Sequence, residues 1–183
     1  MKDKGTLLAY FIIASEAFFF IALIIGYVYY RNFSDATDTV AKYLDAGRTG
    51  IFTIFLIASS FTLIYSKKAL FNNRIGQYKL FMGLTILLGI VFMVGQATEY
   101  VGLYQEQITL NKDVFGASFF TLTGFHGLHV ILGLIALSIL YGISFGNYRN
   151  VTKAGIGGVD VYWHFVDIVW LFVFFFVYIT PLL

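Results

Sequence analysis

Five long, predominantly apolar runs, separated by short polar connections, limit what this chain can fold into more than any other feature of it. The hydrocarbon core of a bilayer is about 30 Å thick and a helix rises about 1.5 Å per residue, so roughly 20 apolar residues are enough to cross it. The runs are Thr6 to Tyr30, Gly47 to Ser66, Tyr78 to Tyr104, Val114 to Tyr141 and Val159 to Leu182. Between them lie Arg31 to Ala46, Lys67 to Gln77, Gln105 to Asp113 and Gly142 to Gly158, each too short to fold by itself. Lipid offers backbone amides no hydrogen-bond partner, which leaves the helix as the structure for such runs. The expectation is an all-α fold: an integral membrane bundle of five transmembrane helices, forming one domain over residues 1–183.

Composition agrees. Only 12% of the residues are charged, against about 25% in soluble domains, and the mean hydropathy is +0.81. Pro181 is the single proline, so nothing in the body of the chain forces a helix to break. The first run lacks a small-residue cleavage site and is expected to stay as a transmembrane helix. The absence of cysteine excludes disulfides, thiolate metal sites and covalently attached c-type haem. The net charge of +2 is scattered over short connections, which argues against a nucleic-acid partner. An odd number of spans without an internal repeat argues against an inverted-repeat transporter.

Lys and Arg set the expected orientation, because cytoplasmic loops carry the excess. Lys2, Lys4, Lys67, Lys68, Arg74, Lys79, Arg149 and Lys153 fall on one side, and Arg31, Lys42, Arg48 and Lys112 on the other. That tally of 8 against 4 predicts a cytoplasmic N-terminus and an external C-terminus. Tyr27, Tyr29, Tyr30, Tyr100, Tyr104, Tyr141 and Tyr178 lie near span ends and read as anchors in the headgroup layer.

Ionisable groups at membrane depth carry the functional information, since each is costly there unless it is paired, neutralised or wetted. Glu16 sits mid-span in FIIASEAFFF with no charged neighbour in sequence, so a bound proton or a lipid or subunit partner is expected for it. Gln96 and Glu99 share a helix face in GQATEY and read as hydrogen-bonding groups toward a neighbouring helix. His126 and His129 in GFHGLH are three apart, with Gly124, Gly127 and Gly133 expected to let another backbone approach closely. They could form a haem or metal face, but His164 is the only other histidine; hydrogen bonds to carboxylates across the bundle are the reading adopted. In VDVYWHFVDIVWLF, Trp163, Asp167 and Trp170 share one face with His164 beside Asp167, which makes Asp167 a natural partner for His126 or His129. No nucleophile triad, phosphate loop or nucleotide fingerprint is present, so no catalytic residue and no metal site is assigned.

These strings together carry a resemblance. SEAFFF around Glu16, QATEY around Glu99, FGASFFTLTGFHGLHVILG around the paired histidines and YWHFVDIVWLFVF around His164 and Asp167 resemble, in order, the signature segments of subunit III of the haem-copper terminal oxidases. The resemblance implies a subunit without haem or copper of its own, those cofactors being held by partner subunits. It implies packing against subunit I and other oxidase subunits, bound phospholipid, support of proton uptake, and a place in the bacterial plasma (inner) membrane. It also implies the shorter, five-helix form of a subunit that often has seven, starting at the third helix. Because the lipid cleft of the longer form is built partly by the two helices lacking here, another subunit would have to close it. By motif, Glu16 matches the family's membrane carboxylate, Glu99 the acid of its QxxEY segment, His126 and His129 its FHGxHV pair, and His164 and Asp167 its WHFVD segment. The alternatives are an accessory subunit of a nitric oxide reductase, a proton conductor acting alone through Glu16, Glu99 and Asp167, and a b-type cytochrome using the three histidines.

Overall fold

In the computed structural model, which describes residues 4–33, 44–109, 114–147 and 153–182, the chain forms five long helices. These are α1 (Lys4–Phe33), α2 (Ala46–Phe71), α3 (Ile75–Gln105), α4 (Val114–Asn147) and α5 (Lys153–Phe174), and α5 continues through a π-helical turn, Phe175–Ile179, into a 3-10 turn, Thr180–Leu182. All five are long and apolar enough to cross a membrane, and no strand occurs among the described residues. Lys2, Lys42, Lys112 and Arg149 of the orientation tally lie outside the described residues.

The helices overrun the apolar spans. Hydropathy reports only the part that matches the hydrocarbon, whereas Lys67, Lys68, Gln77 and Lys79 are good helix formers that carry the helices past it. The expected connection Lys67 to Gln77 therefore shrinks to Asn72–Arg74. Asn73 takes a left-handed φ of 55°, its N–H bonding Leu70 O and that of Arg74 bonding Ala69 O, which closes the last carbonyls of α2. Gln107 repeats the device at the end of α3, with φ 59° and Ile108 N–H on Leu103 O; Leu103 and Ile108 are both buried beneath the turn.

Helices α2 and α3 form a tight antiparallel hairpin. Helix α5 packs against α1, α2 and α4, and α4 closes the circuit on α1 and α3. The core between them holds Trp163, Trp170, Phe92, Phe119, Leu56, Leu63 and Met82, none more than 1% exposed. The outward faces are apolar too: Phe18, Phe11, Ile54 and Leu80 stand at 74, 67, 66 and 67% exposure, as lipid-facing side chains do. The close approach at Gly133 and Gly89 belongs to a side chain rather than a backbone. A Cβ on Gly133 would lie 2.7 Å from Trp163 Cε3, and one on Gly89 3.0 Å from Trp163 Cη2, so these glycines are the slot for that indole.

The single proline shapes the end of α5. Pro181 has no N–H and its ring would collide with the carbonyl four residues back. The backbone widens instead, and Thr180 N–H reaches the Phe175 carbonyl five residues back. In that register the carbonyl of Phe176 would need the missing N–H of Pro181. Arg31 Nη1 fills the place at 3.2 Å, and the Thr180 hydroxyl adds a bond at 2.8 Å. Arg31 Nη1 also donates to Thr180 Oγ1, so the end of α1 is tied to the end of α5.

Candidate functional site: polar groups at membrane depth

Helix α2 carries Thr49, Thr53, Ser60 and Lys67 along one stripe, at steps of four and seven residues, and Thr53, Ser60 and Lys67 of this stripe meet the polar face of α5. Trp170 Nε1 donates to Thr53 Oγ1 at 2.9 Å and Trp163 Nε1 to Ser59 Oγ at 3.0 Å. Asp167 accepts from Ser60 Oγ, and the same hydroxyl lies 2.8 Å from His164 Nδ1. Toward the α2–α3 turn, Lys67 Nζ bonds Asp160 Oδ2 at 2.6 Å, with His164 Nε2 3.5 Å from Asp160 Oδ1. Toward the other end, Glu99 of α3 accepts from Thr49 Oγ1 at 3.1 Å and from the buried Tyr178 hydroxyl at 2.7 Å. Tyr178 lies within the π turn.

A second polar contact joins α1 to α4. His129 Nε2 lies 3.2 Å from Glu16 Oε2, while His129 Nδ1 is 2.7 Å from the carbonyl of Phe125. A carbonyl can only accept, so Nδ1 carries a hydrogen and donates it. The Nε2–Oε2 bond then needs one proton of its own, held either as imidazolium with carboxylate or as imidazole with carboxylic acid. Both forms are neutral as a pair, which removes the cost of an isolated charge in lipid. Tyr162 of α5 donates to the His129 carbonyl at 3.1 Å and joins the third helix to this contact.

Several sequence expectations need correction here. Glu16 does have a protein partner, His129, brought from 113 residues away. Asp167 does not reach His126 or His129, because its face of α5 turns to α2 and finds Ser60. His126 makes no carboxylate bond among the described residues. It is fully buried, its ring centroid is 4.7 Å from that of Trp170, and Phe20 and Phe92 stand at its edges. Neither of its ring nitrogens has a hydrogen-bond partner among the described residues. Gln96 and Glu99, expected to act on one neighbour, address two: Gln96 Nε2 bonds Thr123 O of α4 at 3.0 Å, and Glu99 turns to α2 and the π turn. Tyr27 and Tyr178 are buried within the bundle, whereas Tyr29, Tyr30 and Tyr104 are exposed. Tyr100 hydrogen-bonds Thr123 Oγ1 at 2.7 Å.

Asp160 and its partner Lys67 were missed. Two signals point to them: Asp160 precedes His164 by one helical turn, and Lys67 continues the hydroxyl stripe of α2. The three histidines end at three different interfaces, His126 against Trp170, His129 on Glu16 and His164 on Ser60. No group of three His, Cys, Asp or Glu side chains among the described residues converges to hold a metal.

The model of the family "Cytochrome c oxidase subunit III" matches residues 4–181, nearly the whole chain. The chain belongs to this family. It is 36% identical over 170 residues to cytochrome c oxidase subunit 3 of Synechocystis sp., covering 91% of this chain and 72% of that protein. Its identity to the Bacillus subtilis subunit 3 is 30% over 182 residues, covering 98% and 88%. With the Danio rerio subunit 3 it shares 33% over 176 residues, covering 91% and 66%. Subunit III of the oxidase family, with five helices able to span a bilayer, is a multi-pass membrane protein.

Proposed function

We propose that this subunit III works as a non-catalytic, supporting member of a respiratory haem-copper oxidase in a bacterial plasma membrane, with its N-terminus cytoplasmic and its C-terminus external. It packs on subunit I, steadies the complex together with the other subunits, and assists proton uptake for oxygen reduction. Haem and copper are held by those partners. The observation that carries this reading is the match to the subunit III family over nearly the whole chain, with each histidine set against a group of its own, His126 on the Trp170 ring, His129 on Glu16 and His164 on Ser60. The polar groups join helices within the chain, Ser60 to Asp167, Thr49 to Glu99 and Glu16 to His129. Hydrogen bonds of this kind hold transmembrane helices together.

Lipid has a place to bind. Phe20, Ile24, Phe165, Val169 and Phe172 line an apolar groove of about 530 Å³ between α1 and α5, whose shape and chemistry suit an acyl chain.

Purification of a tagged chain from its native membrane tests the proposal. The expected preparation contains a haem- and copper-bearing subunit in equal amount, while the separated chain shows no Soret band. A stoichiometric haem or copper content in the separated chain, or a preparation without an oxidase subunit, would overturn it.

A further inference from the structure

The hydrogen-bonded line between α2 and α5 that starts near the α2–α3 turn ends at Asp167, since the next contact between the two helices, Trp170 Nε1 on Thr53 Oγ1, touches neither of its carboxylate oxygens. Lys67 lies over Asp160 at 2.6 Å, and its side chain is 31% exposed. Asp160 Oδ1 faces His164 Nε2 at 3.5 Å, His164 Nδ1 faces Ser60 Oγ at 2.8 Å, and Ser60 Oγ bonds Asp167 Oδ2. Beyond Asp167 the same side of α5 continues as Trp170, Val173 and Val177, all buried. The other carboxylate oxygen of Asp167 has no hydrogen-bond partner among the described residues. Beside the line lies a groove of about 380 Å³ whose remaining walls, Ile57, Phe61, Ile64, Ile168 and Leu171, are apolar.

From this geometry we infer that Asp167 is a dead-end proton-storage site, filled and emptied from the side of the α2–α3 turn through His164 and Ser60. The chemistry of each link permits it. A proton arriving past Asp160 is taken by His164 Nε2, and His164 Nδ1 gives its hydrogen to Ser60 Oγ. Ser60 passes its own hydroxyl hydrogen to Asp167 Oδ2, leaving a neutral imidazole, an intact hydroxyl and a carboxylic acid. The gap between Asp160 and His164 is the longest link, and a small swing of the imidazole, which lies one turn away on the same helix, closes it. The hydrogen-bonding and ion-pairing groups around Asp167 and His164 come from α2 (Ser60, Lys67) and α5 (Asp160) among the described residues. Beyond Asp167 the indole of Trp170 can only donate and already does so to Thr53, and Val173 and Val177 are apolar, so protons are held and returned but not conducted across the membrane. The site is separate from the Glu16–His129 pair, which lies between α1 and α4.

The inference concerns this chain's own side chains and is read without oxygen turnover, so it stands or falls independently of the oxidase role. In the intact purified complex, the carboxylic C=O infrared band lost in Asp167→Asn is recorded over a pH series, and its shift is timed after a jump from H2O to D2O. The expected outcome is a titrating band whose exchange slows roughly tenfold or more in Ser60→Ala and His164→Gln. Ser60→Thr, which returns a hydroxyl, restores the wild-type rate, and Glu16→Gln leaves it unmoved. Exchange as fast in Ser60→Ala as in the wild type would show that protons reach Asp167 by another path and would overturn the inference. So would the absence, at every pH where the complex stays intact, of any band that Asp167→Asn removes.

Discussion

At the scale of single residues, the Glu16–His129 contact shows how a bundle in lipid deals with ionisable groups. One shared proton keeps the pair neutral, and both side chains are only partly exposed, 33 and 12% respectively. Polar pairs of this type inside membranes contribute about 0.6 to 2 kcal/mol. A double-mutant cycle with Glu16→Ala and His129→Ala, read from unfolding of the purified chain in detergent, is expected to give a coupling of about 1 kcal/mol. A coupling of zero would mean that the two side chains do not bond. This partnership was not legible in sequence, because nothing near SEAFFF points to a residue 113 positions away, and Glu16 there reads as an isolated carboxylate. Local pairs were more legible. His164 stands beside Asp167 as its spacing suggests, yet the hydroxyl of Ser60 lies between them and belongs to another helix. His126 looked like half of a pair and is instead an aromatic plate on Trp170.

At the scale of helices, the five elements and their order follow directly from apolar run length, while their ends do not. Hydropathy fades where Lys67, Lys68 and Lys79 begin, but the helical hydrogen bonds continue until Asn73 and Gln107 adopt left-handed conformations. The π turn was equally hidden, since a proline at position 181 looks harmless at the end of a chain; its effect is felt upstream, in the turn that contains Tyr178. Glycine positions make the packing of α4 on α5 testable. Gly133→Ala would drive a methyl to 2.7 Å from the Trp163 ring, and overpacking of that order costs about 1 to 3 kcal/mol. At Gly26 nothing among the described residues lies within 4 Å of the added methyl, so Gly26→Ala is expected to be neutral or slightly stabilising. Thermal unfolding in detergent separates the two: a lowered midpoint for Gly133→Ala and none for Gly26→Ala. Equal effects would contradict the placement of Trp163 in the slot.

At the scale of the whole molecule, apolar runs show that there are five helices but not which of them touch, because lipid-facing and protein-facing surfaces are both apolar. The contact of α5 with α2 rests on hydroxyls at Thr53, Ser59 and Ser60 that look unremarkable one at a time in an apolar span. Orientation follows from charge, and reporter fusions at the two ends are expected to show a cytoplasmic N-terminus and an external C-terminus. Cytoplasmic activity of a fusion after Leu183 would contradict that assignment. The central claim is that this subunit supports oxygen reduction without performing it. It is tested most directly by measuring haem and copper content and initial oxygen consumption on one preparation of the complex from which only this chain has been removed. The account predicts full haem and copper content and substantial initial turnover, with slower proton uptake or earlier loss of activity. A complex that keeps every other subunit yet lacks haem or copper, or shows no turnover from the first moment, would contradict it.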